Sequence, residues 1–216
     1  MESKFNIYTV AYIVACFASL FFIDAGSSLA EMNLKITALV VLAFMYIGIS
    51  KKIDFWYILI LMTSIAADSF FVYDPDFLMQ GVVLVLINRI LYFIFLRKKI
   101  AKIKLSSLLI YLIPGFVIFG VILYMFSPHL KNMLNILFVI CFCNISLISI
   151  AYFNFLKNNN KKNLFFLLGV FMISAGDFFI VYNKYLEYNL FFVLGYTTIY
   201  YVARYLICFS VIEDRN

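Results

Sequence analysis

Apolar runs of about 20 residues recur along this chain, parted by short basic or turn-forming stretches. A run of that length matches the hydrocarbon core of a bilayer. Inside that core no water can satisfy backbone N–H and C=O groups, so such runs must be helices that bond internally. Eight runs are read, at about 5–23, 34–50, 54–73, 77–96, 107–126, 132–156, 163–182 and 188–212. The second is the shortest. The expected fold is therefore all-α, a polytopic membrane protein of eight transmembrane helices forming one integral domain over residues 1–216. Composition agrees: 13% of the residues are charged, against about 25% in a soluble domain. Lys4 before the first run and small residues after it give a signal-peptide reading. No A-x-A site closes that run, so an uncleaved first span is preferred.

Basic residues set the expected orientation. Twelve fall on one side: Lys4, Lys51, Lys52, the five between Arg97 and Lys104, Lys157, Lys161, Lys162 and Arg215. Only Lys35, Lys131 and Lys184 fall on the other. Both termini are then expected in the cytoplasm, in a bacterial inner membrane, with an even number of spans. The net charge of +6 is a signal of topology and of anionic membrane lipids, and no nucleic-acid partner is expected. Cys16, Cys141, Cys143 and Cys208 lie inside spans without metal-ligand spacing and read as packing residues. His129, the single histidine, is placed in a loop after Pro128 and given no role. No metal or nucleotide motif is visible, so no cofactor is expected.

Shifted by 109 positions, the chain matches itself weakly. Asp68 falls on Asp177, Phe70 on Phe179, Tyr73 on Tyr182 and Tyr92 on Tyr201. Four spans separate the copies, which predicts a parallel duplication of a four-helix unit, with halves of about 1–105 and 106–216.

The ionisable residues inside spans are Asp68, Arg89, Asp177 and Arg204. A charge there is costly, so such residues face the bundle interior and find partners. Asp68 follows Asp54, and Asp177 follows Asn163, by the same interval. Both acids are thus expected ~21 Å along their helices, at one depth. The arginines sit on spans of opposite direction and lean toward the acids. Arg89 and Tyr92 share a helix face, as do Tyr201 and Arg204. Lys35 is placed at the outer mouth of the second span. The bland reading is two buried ion pairs that fix packing. The functional reading is one polar cavity between the third, fourth, seventh and eighth spans, lined by both acids and both arginines.

Four segments resemble a known family. Lys35-Ile36-Thr37 is similar to a K-P-[LT] start of the second span. SIAADSFFVYDPDFLMQGVVLVLINRILY is similar to an S-x-x-G-D block followed by a helix ending in H-x-x-Y. LGVFMISAGDFFIVYNKY resembles a second acidic block, and TTIYYVARYLI resembles a closing Y-Y-x-A-Q-x-L-I. Their order over eight spans resembles the YhhN family of membrane proteins, whose studied members are lysoplasmalogenases. The chain departs from that pattern at Ile36 for proline, Ala67 for glycine, Arg89 for histidine and Arg204 for glutamine or histidine. A titratable imidazole is replaced by a permanent cation at Arg89.

The resemblance implies a lysophospholipid substrate, in which a vinyl ether is hydrolysed to a fatty aldehyde and a glycerophospho-headgroup. That chemistry needs one protonated carboxyl and one carboxylate, a division of labour that glycoside hydrolases also use. Asp68 and Asp177 are the expected catalytic pair, with the roles unassigned. Lys35, Arg89, Tyr92, Tyr201 and Arg204 are the expected substrate-binding residues. The alternative is a non-catalytic protein that binds or moves a lipid or small anion, with both acids locked by arginine. A proton-coupled transporter would also use buried aspartates, but it lacks support from broken-helix glycines and prolines.

Overall fold

The computed structural model of the chain describes residues 2–23, 28–73, 78–100, 105–130 and 134–215. Among them are eight helices: α1 (Glu2–Phe21), α2 (Ser28–Ile49), α3 (Phe55–Tyr73), α4 (Leu78–Ile100), α5 (Leu105–Leu130), α6 (Leu134–Lys157), α7 (Lys161–Tyr185) and α8 (Leu190–Arg215). The expected all-α membrane architecture is thus present. α2, α3, α4, α6, α7 and α8 are each long and apolar enough to cross a membrane. The described apolar stretches of α1 and α5, Ile7–Phe21 and Leu109–Val121, are shorter.

Side chains at the ends decide where helices begin. Asp54 caps α3, its Oδ1 accepting from the Trp56 N–H at 3.0 Å. Asn160 caps α7 in the same way, accepting from the Asn163 N–H at 2.9 Å. α7 therefore opens two residues before Asn163, the residue expected to open it. Asp177 then stands about 24 Å along α7 and Asp68 about 20 Å along α3, a turn apart rather than level along their helices. α2 also starts earlier than expected. Glu31 and Lys35 pair at 2.5 Å across one turn, so this polar segment is helix and Lys35 lies two turns inside α2. His129, expected in a loop, falls in the last turn of α5, and its side chain lies outside the described residues. So do the side chain of Tyr73 and those over 97–108, including the basic cluster expected at the cytoplasmic face.

Seven helices close a ring: α1 packs on α2, α2 on α3, α3 on α4, α4 on α6, α6 on α7, α7 on α8, and α8 back on α1 and α2. α5 stands outside, against α6. The tightest contact is between α7 and α8, and small residues permit it. A Cβ on Gly169 would lie 2.9 Å from the Ala203 carbonyl oxygen, and one on Gly176 would lie 2.9 Å from the Tyr200 ring. The core under the ring includes Tyr46, Tyr57, Leu39, Leu42, Ile60, Leu96 and Ile207. Tyr46 also accepts the Asp54 N–H at 2.7 Å and so fastens the α2 end to the α3 start. Large apolar side chains such as Ile7, Val14, Phe44, Phe55, Ile110 and Phe191 face outward, as a lipid-facing surface requires.

Candidate functional site

Asp68, Arg89, Asp177 and Arg204 form two ion pairs, and the pairs cross between the halves. Arg204 on α8 grips Asp68 on α3 with two bonds, Nη1 to Oδ2 at 2.6 Å and Nη2 to Oδ1 at 2.8 Å. Arg89 on α4 grips Asp177 on α7, Nη2 to Oδ2 at 2.5 Å. Each acid thus takes its cation from the opposite half. A parallel fork on a carboxylate is the strongest geometry that a guanidinium offers.

The two acids have different surroundings. Asp177 also accepts from Asn144 Nδ2 at 2.7 Å and from the Tyr200 hydroxyl. Arg89 spends its other donors on Asn144 Oδ1 at 2.7 Å and Asn88 Oδ1 at 3.0 Å. Asn88 in turn donates to the Ile60 carbonyl, Thr63 and Ser64 of α3. Each polar atom named in this network has at least one partner, which fixes its geometry. Asp68 has Arg204 as its partner, and its side chain is 20% exposed against 12% for Asp177.

A cavity of about 420 Å³ lies inside the ring. Asp68, Arg89, Arg204, Glu31, Lys35 and Lys184 line it, with Phe22, Phe71, Val85 and Val193 among its apolar walls. Of the four residues expected to share one space, three do. Asp177 is not in its lining: Arg89 and Tyr200, which line the cavity and both hold Asp177, stand between. Asp177 instead borders a second, apolar cavity among α5, α6 and α7. Lys35 and Tyr201 also line the first cavity, and the Tyr201 hydroxyl bonds Ser19 at 2.6 Å. Tyr92 does not line it. Its ring is buried in the apolar core, edge-on to Phe166.

Several site residues escaped the sequence reading. Tyr200 carries Asp177 on its hydroxyl and Arg204 over its ring, 5.1 Å from the centroid. It lies four residues before Arg204, where Tyr201 lies three before, and helix spacing admits both. Gly176 leaves the room that lets Tyr200 reach across. Asn88 and Asn144 were legible as amides inside apolar runs, a mark of a bundle interior. Thr197 lines the cavity with a buried hydroxyl that has no partner among the described residues. No cluster of metal-ligating residues occurs among the described residues.

Nothing among curated proteins or solved structures matches the chain. The model of the YhhN family matches residues 30–211, from the first turn of α2 almost to the end of α8. That span holds both acids, both arginines and most of the lining of the first cavity, and the chain belongs to the YhhN family.

Proposed function

We propose that this protein hydrolyses the vinyl-ether bond of a single-chain phospholipid held in the first cavity. The observation that carries the reading is the cavity itself. Its lining combines two lysines, the carboxyls of Asp68 and Glu31, and apolar walls. A phosphate suits Lys35, Lys184 and the unpartnered Thr197 hydroxyl. A hydrocarbon chain suits the walls. Membership of the YhhN family supports the same substrate class.

Among the described residues, two carboxyls line this space, Glu31 paired with Lys35 and Asp68 held by Arg204. Asp68 is assigned the chemistry, and one carboxyl suffices for the reaction. Neutral Asp68 gives its proton to the β carbon of the double bond, leaving an oxocarbenium ion and an ionised Asp68. Water attacks the cation while Asp68 takes the proton that the water loses. The hemiacetal then collapses to a fatty aldehyde and the glycerophospho-headgroup, and Asp68 is neutral again. At rest Arg204 forks on Asp68 with two bonds. A substrate oxyanion that draws Arg204 to itself releases Asp68 from that fork, and Asp68 takes up a proton before the first turnover. Asp177 is then a positioning residue, which holds Arg89 and Tyr200 as one wall of the cavity.

The second reading is a non-catalytic binder of anionic lipid. The observation that favours it is that both acids are clasped by arginines in the resting protein. Purified protein incubated with lysoplasmalogens of varied headgroup separates the two. Aldehyde release that is lost in Asp68→Asn supports the enzyme. Tight binding of the same lipids with no aldehyde from any of them would sink the enzyme and leave the binder.

A further inference from the structure

The second cavity, of about 500 Å³ among α5, α6 and α7, is within the usual size of a ligand site. Its walls are apolar, with Ile118, Phe119, Ile140, Ile148, Phe171 and Phe178 among them. Two polar side chains in the wall are already spent: Ser174 donates to the Val170 carbonyl at 3.0 Å and Ser149 to the Tyr111 carbonyl at 3.4 Å. Asp177 and Asn144 also reach this lining. Asp177 Oδ2 accepts two bonds, from Arg89 and Asn144, while Oδ1 accepts one, from Tyr200. A carboxylate has about four acceptor sites, so Oδ1 retains one.

The geometry points to a second lipid site, for an uncharged single-chain lipid that ends in a hydroxyl. The hydrocarbon chain fills the apolar walls, and the hydroxyl donates to Asp177 Oδ1. A fatty-acid carboxylate fits poorly, because it brings a like charge and only acceptors to Asp177. A plain alkane leaves the Asp177 acceptor unused. The site is separate from the headgroup-binding cavity but shares a wall with it, because Tyr200 touches both Asp177 and Arg204. The inference does not depend on the proposed hydrolysis.

The test uses the full chain in phosphatidylcholine nanodiscs and hexadecanol bearing a mid-chain photoreactive diazirine. Photolabel is expected on α5, α6 and α7 peptides that line the cavity. Unlabelled hexadecanol should displace it, with palmitate and hexadecane at least about tenfold weaker, the scale of one hydrogen bond to a charged group. Ala175→Phe, which fills the cavity from α7, should abolish the labelling. Label spread evenly over the lipid-facing helices would overturn the proposal. So would equal displacement by palmitate or hexadecane, and so would full labelling of a folded Ala175→Phe variant. The competition in the unaltered protein decides the matter even where that variant does not fold.

Discussion

Asp68 and Asp177 align when one half of the chain is laid on the other, yet they are held differently. Asp177 is bound by an arginine, an amide and a phenol, whereas Asp68 relies on Arg204 beside an open cavity. The expected consequence is that both pairs matter for stability and that Asp68 alone faces the proposed chemistry. Asp68→Asn should lower aldehyde release per folded molecule by about 10²–10⁴-fold, the worth of a positioned acid or base, and should also lower stability in detergent, because buried Arg204 loses its anion. Arg89→Met should destabilise by about 3–5 kcal/mol, because it leaves Asp177 buried without its cation. Adding Asp177→Leu to Arg89→Met should recover most of that loss, since no uncompensated charge remains. Unfolding of the single and double variants in detergent measures this coupling. The histidine that the family pattern carries at position 89 could not reproduce the three contacts that Arg89 makes to Asn88, Asn144 and Asp177.

At the scale of the element, the close approach of α7 and α8 is what lets Tyr200 span from one acid's surroundings to the other's arginine. Gly169→Ala would set a Cβ 2.5 Å from Ile207, which can turn aside, and 2.9 Å from the Ala203 carbonyl oxygen, which belongs to the helix backbone. The helices must separate, at about 1–3 kcal/mol, the scale of overpacking. Gly120→Ala in α5 is the matched control, because nothing lies within 4 Å of the added carbon. It should be neutral or slightly stabilising through helix propensity. Thermal unfolding of the two variants in detergent compares them. Asp54→Ala removes the cap of α3 and should cost about 1 kcal/mol in the same measurement.

For the whole molecule, we propose cytoplasmic termini on the strength of the twelve-to-three division of basic residues. A cysteine placed at Lys102 in a cysteine-free background should resist a membrane-impermeant thiol reagent in intact cells and react once the cells are opened. Reaction in intact cells would overturn that orientation. The crossed ion pairs also carry the proposal of a duplicated four-helix unit. Acid and base from opposite halves clasp twice, α3 to α8 and α7 to α4, and α4 packs on α6 as α8 packs on α2.

Apolar run length by itself determined the helices, their number and the membrane as their solvent, because a bilayer leaves a backbone few alternatives. The scarcity of charge inside those runs determined which residues had to matter: Asp68, Arg89, Asp177 and Arg204 were each legible as interior groups. The order of four short motifs carried the family resemblance. Only the tertiary structure decided the rest. Which arginine takes which acid depends on how α3, α4, α7 and α8 are set around the ring, and residue spacing along one helix does not encode the rotation of its neighbour. Tyr200 over Tyr201 was a choice between adjacent residues on overlapping faces, settled by the room left at Gly176. Tyr92 shares a face with Arg89 by spacing, but its side chain is buried against Phe166 in the apolar core. Asp177 fell behind the cavity wall because Arg89 and Tyr200 reach across to hold it. Depth along a helix is a local quantity that a sequence states, and the company that a side chain keeps at that depth is set by packing between helices.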